Sequence, residues 1–61
     1  MKEIGYRIRR ARKRARIGLR VLAREVGCSP SFISLLEHGL YKGGFSGEQT
    51  RAIMERLGIM P

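Results

Sequence analysis

The chain is short of the residues that staple or catalyse: in 61 residues it has one cysteine, one histidine, two prolines, no tryptophan and only five acidic side chains. Cys28 alone cannot form an intramolecular disulfide, and Cys28 with His38 cannot supply a four-ligand zinc site. A catalytic Cys–His pair needs a third orienting group and a pocket, which a domain this small hardly encloses. Ser31 and Ser34 have no base to activate them. Neither enzymatic activity, nor a cofactor, nor a metal is expected. Few aromatics are placed for base stacking, which disfavours a single-strand-coating protein. No apolar run approaches the ~20 residues that span a bilayer. Arginines interrupt the first sixteen residues, where a secretory signal would need an apolar run. The expectation is one small domain, spanning residues 1–61, in the reducing cytoplasm with no membrane partner.

What is abundant is positive charge. Thirteen Lys and Arg against five acids give a net charge of +8, and residues 1–24 hold ten of the thirteen bases with Glu3 as their only acid. Uncompensated charge at this density repels itself and points to a polyanionic partner, with nucleic acid first and an anionic membrane surface second.

Apolar spacing is helical throughout. Ile4, Ile8, Ala11 and Ala15 make one stripe over residues 3–16, and Leu19, Leu22, Ala23 and Val26 make a second, closed at Gly27. Ser29 suits an N-cap and Pro30 the first helical position, so a third helix runs over about 29–38 and ends at Gly39. After the loop 40–45, Ser46 can cap a fourth helix and form a capping box with Gln49, while Glu48 complements the helix dipole. Ile53, Met54 and Leu57 supply its apolar stripe, and Gly58 stops it. No β-alternation competes. The expected fold is all-α, a compact bundle of four or five short helices.

Two short helices joined by Gly27-Cys28-Ser29 form a helix-turn-helix. The stretches IGYRIRRARKRARIGLRVLAREVG and CSPSFISLLEHGLYKG resemble the phage repressor and Cro family, the XRE-type regulators, and the likeness covers about residues 4–58. It implies a lambda-repressor-like bundle whose third helix lies in the DNA major groove, in a prokaryotic or phage-infected cell. It also implies an ion pair between Arg12 and Glu37. Family members commonly start helix 2 with Ser or Thr followed by Gln, which clasps phosphate. Here Gly18 and Leu19 stand there, so Arg16 or Arg20 takes over the phosphate role.

Under that resemblance the base-reading positions are Pro30, Ser31, Phe32, Ser34 and Leu35. Hydroxyls can pair with several bases and apolar groups can meet thymine methyls, but the bidentate vocabulary of Arg, Gln and Asn is missing. Affinity is therefore expected from phosphate contacts, with Arg16, Arg20, Ser29, His38, Tyr41 and Lys42 as candidates, and direct readout is expected to be modest. The function expected is a sequence-specific double-stranded DNA-binding transcriptional regulator acting as a repressor. The rival is a protein-interaction module, antitoxin-like or an adaptor, with Phe32, Leu35 and Tyr41 as its patch. A weak homodimer through Ile53, Leu57, Ile59 and Met60 is expected on DNA half-sites.

Overall fold

A computed structural model describes residues 2–43 and 47–59. Within them the chain forms four α-helices and no strand: α1 (Lys2–Arg14), α2 (Leu19–Val26), α3 (Pro30–Glu37) and α4 (Glu48–Leu57). The helices pack as a closed ring in the order α1–α3–α2–α4. Along two of the connections, α1 to α2 and α3 to α4, helices consecutive in sequence do not pack on each other; only α2 and α3 do.

The core is made by the residues the apolar spacing selects, with one or two from each helix. Ile8, Leu22, Ala23, Ile33, Leu36, Ile53 and Met54 are buried together, and Ile4, Val26 and Leu57 pack against them half-buried. Three differences from the expected pattern stand out. Ala15 is exposed, because α1 ends at Arg14 rather than at residue 16. Ile53 is fully buried, so it is removed from the apolar surface expected to pair two copies; Leu57 and Ile59 are half-buried, and Met60 lies outside the described residues. The fourth helix begins one residue later than a Ser46 cap requires. Gly47 is its N-cap without a side-chain bond, Ser46 lies outside the described residues, and Gln49 donates instead to the Gly27 carbonyl at 3.3 Å.

The helix ends follow a common device. α3 and α4 close with paired backbone bonds across a left-handed glycine: Gly39 N–H to Leu36 O and Leu40 N–H to Leu35 O, then Gly58 N–H to Glu55 O and Ile59 N–H to Met54 O. α1 closes the same way, with Arg16 N–H to Lys13 O and Ile17 N–H to Arg12 O. There the left-handed position is an arginine, Arg16, at φ 59°. A side chain in that conformation costs about 1–2 kcal/mol that glycine would avoid.

The α1–α3 crossing depends on Gly5, which is buried. A Cβ there would overlap the Leu36 carbonyl oxygen and sit 3.0 Å from that of Glu37. Absence of a side chain lets the backbone of α1 rest on the end of α3. This holds α3 against the bundle by its inner side and sets which side faces out.

Candidate nucleic-acid interface

The turn before α3 is built as its residue types dictate. Gly27 adopts the left-handed conformation at φ 77°, and the N–H groups of Gly27 and Cys28 both donate to the Ala23 carbonyl, at 2.8 and 2.9 Å. Ala23 is buried, and its small side chain brings α2 close to α3. Cys28 is half-buried, and that burial pushes its thiol above the ordinary 9.0, which leaves it uncharged at neutral pH. Ser29 Oγ accepts the Phe32 N–H at 3.1 Å, and Pro30 opens the helix where its missing donor is no loss. The cap leaves the Ser29 hydroxyl hydrogen free to donate outward.

The inner side of α3 carries Ile33, Leu36 and Glu37, all buried. Glu37 is held by the expected partner. Arg12 donates from Nε to Glu37 Oε2 at 2.6 Å and from Nη2 to Oε1 at 3.1 Å, while its Nη1 donates to the Ile17 carbonyl at 3.0 Å. With side chains only 11% and 2% exposed, this bidentate pair joins α1, the α1–α2 turn and α3 in a fixed geometry. The ion pair between Arg56 and Glu25, at 2.7 Å, also ties α4 to α2 but is solvated on both sides, so it contributes little.

The opposite side of α3 is open. Pro30, Ser31 and Leu35 are exposed, Leu35 by 42%, and Ser34 is half-buried beside them. At helical spacing Ser31, Ser34, Leu35 and His38 share this outer side. His38 caps the end: its Nδ1–H donates to the Ser34 carbonyl at 2.8 Å, which turns Nε2 away from the helix.

Phe32 is the exception among the expected base-reading positions. It is half-buried and packs against the core, and its ring meets that of Tyr41 edge-on at 4.9 Å. Phe32 therefore braces the loop after α3 instead of projecting outward. The candidates for phosphate contact, Arg16, Arg20, Ser29, His38, Tyr41 and Lys42, are all exposed. α3 has eight residues, about 12 Å of helix, and an α-helix about 10–12 Å across is of a diameter that the ~12 Å-wide major groove admits.

Sequence reasoning missed three features. The Gly5 approach is visible only once α1 and α3 meet. The Phe32–Tyr41 pair needs the loop conformation. The basic residues of α1 also divide between two sides of that helix. Gly5 and Arg12 face α3, whereas Arg7, Arg10 and Arg14 line a groove with the end of α4.

Among the described residues no cluster of His, Cys, Asp and Glu is arranged to hold a metal ion. Among them, too, no helix is long and apolar enough to cross a membrane. Searches of curated proteins and of solved structures return no match to this chain. The profile of the helix-turn-helix domain matches residues 3–61, nearly the full length, in keeping with the turn at Gly27–Ser29 and the open side of α3. The chain belongs to the helix-turn-helix domain family.

Proposed function

We propose that the protein is a sequence-specific regulator of transcription that binds double-stranded DNA and acts as a repressor by occupying its operator. α3 enters the major groove by its outer side. Ser31, Ser34 and Leu35 meet base edges, Pro30 lies against the groove wall, and Phe32 supports the surface from behind. Arg16, Arg20, Ser29, His38, Tyr41 and Lys42 take phosphates and supply most of the affinity. The observation that carries this reading is the clean division of α3: its inner residues are buried and its Arg12-held carboxylate is fixed, while Ser31 and Leu35 are exposed on the outer side. Hydroxyl and apolar contacts discriminate less strongly than bidentate ones, so specificity is moderate and helped by DNA shape.

The rival interaction module has less to use. Of its three contact residues, Leu35 and Tyr41 are exposed but Phe32 is engaged with Tyr41.

Selection of duplexes from a random pool at low and high salt tests the proposal. Enrichment of one motif that survives higher salt, together with a shift in preference on Ser31→Ala or Ser34→Ala, supports it. An enriched palindrome would extend the proposal to a two-fold assembly on adjacent half-sites. Equal recovery of all duplexes, or a motif unmoved by both serine changes, removes α3 as the reader.

A further inference from the structure

Arg7, Arg10 and Arg14 stand three and four residues apart along one flank of α1, where they border a groove of about 450 Å³. Ala11 and Ala15 lie between the arginines and the opposite wall, which is the end of α4 and the residues after it, Leu57 and Ile59. The flank is not the one that holds the reading helix. At 100° per residue, the three arginines lie roughly 140–180° around α1 from Gly5 and Arg12, which face α3. A duplex on the outer side of α3 thus has the body of α1 between it and this groove.

We infer that the α1–α4 groove is a second binding surface, and that its occupant is an acidic amphipathic helix of a partner protein. Three features select that chemistry. Glu37 and Glu25 are engaged elsewhere, with Arg12 and Arg56, so neither neutralises these three guanidinium groups, and Arg10 rests over the Tyr6 ring at 5.6 Å. Small alanines let a helix approach closely, and Leu57 and Ile59 offer apolar wall that a phosphate backbone would leave unused. A second copy of this chain fits poorly, since a two-fold contact through the groove would set arginine against arginine. The inference does not depend on the DNA reading; the two surfaces can fail separately.

The test uses the 61-residue chain, isotope-labelled for backbone amide NMR. The probe is a synthetic helical peptide of about five turns, with leucines at three- and four-residue spacing flanked by glutamates. Control peptides replace the glutamates by glutamine or the leucines by alanine. Two further arms use a random duplex and phosphatidylserine-containing vesicles. The expected result is shifts confined to α1 and the end of α4, lost with either control peptide. Binding should weaken about tenfold or more in Arg10→Gln/Arg14→Gln, with duplex shifts falling on α3 instead. Ala15→Glu, a substitution at an exposed position, should block the peptide as well and keeps the test valid if the arginine variant melts early. The inference is overturned by no binding, by equal binding of a control peptide, by peptide shifts on α3, or by duplex or vesicles taking the groove in place of the peptide.

Discussion

The Phe32 ring meets the Tyr41 ring edge-on, with centroids 4.9 Å apart and planes at 80°. This contact fastens the loop after α3 to the flank of the helix, so that Tyr41 and its neighbour Lys42 are tied to α3. Tyr41→Ala should cost about 0.5–1.5 kcal/mol, the worth of such an aromatic pair, measured by urea unfolding. Tyr41→Phe should leave stability unchanged. If the hydroxyl donates to a phosphate, the same Phe variant binds DNA more weakly, which separates the two roles of one side chain.

Arg12 and Glu37 make the second junction of α3 with the bundle. Arg12→Ala strands a carboxylate that is 2% exposed, at a cost of about 3–5 kcal/mol. A domain this small has little more than that in total, so the variant should be largely unfolded by circular dichroism at 25 °C. Replacing both partners, Arg12→Met with Glu37→Leu, should recover most of the loss, since no buried charge then lacks a partner. Recovery no better than Arg12→Ala alone would mean that the salt bridge is a net stabiliser.

At Gly5 a single methyl should be enough to disrupt the fold. The Cβ of Gly5→Ala would meet backbone carbonyls, which cannot rotate away as a side chain can. We expect a loss of about 3 kcal/mol and a matching fall in melting temperature. Gly18→Ala is the control, because a Cβ there meets nothing within 4 Å. Its cost should stay near that of a weakened N-cap, about 1 kcal/mol at most.

Arg16 holds a left-handed conformation that an arginine does not prefer. Arg16→Gly should stabilise the domain by about 0.5–1 kcal/mol after the entropy of glycine is counted. If the side chain takes a phosphate, the same variant should reduce the slope of log K against log salt by about one. A more stable protein that binds DNA less tightly is the expected outcome, measured by melting and by titration at several salt concentrations. Unchanged binding would remove Arg16 from the interface.

Much of this architecture was legible because its signals are local. Ser29 caps and Pro30 opens α3 through atoms within three residues, and Gly27 closes α2 through the Ala23 carbonyl. The Arg12–Glu37 pair was legible for another reason, the resemblance of both stretches to one family. What escaped is tertiary. Nothing at Gly5 distinguishes a packing glycine from a weak helix residue until Leu36 arrives beside it. Ile53 carries the same apolar signal whether it faces a core or a second copy, and only burial separates the two. Arg16 has no intrinsic taste for positive φ; the continuation of the chain into α2 imposes it.

The ring of helices has a consequence for any attempt to transplant α2, the turn and α3. Because α1 touches α3 and α4 but not α2, and α4 touches α1 and α2 but not α3, three of the four contacts join segments distant in sequence. Excising α2 and α3 as a minimal unit would bare Leu22 and Ile33 to water, and trimming either end would open the circle. The turn and its helix are thus one corner of an indivisible frame, and a graft onto another scaffold must carry all four sides.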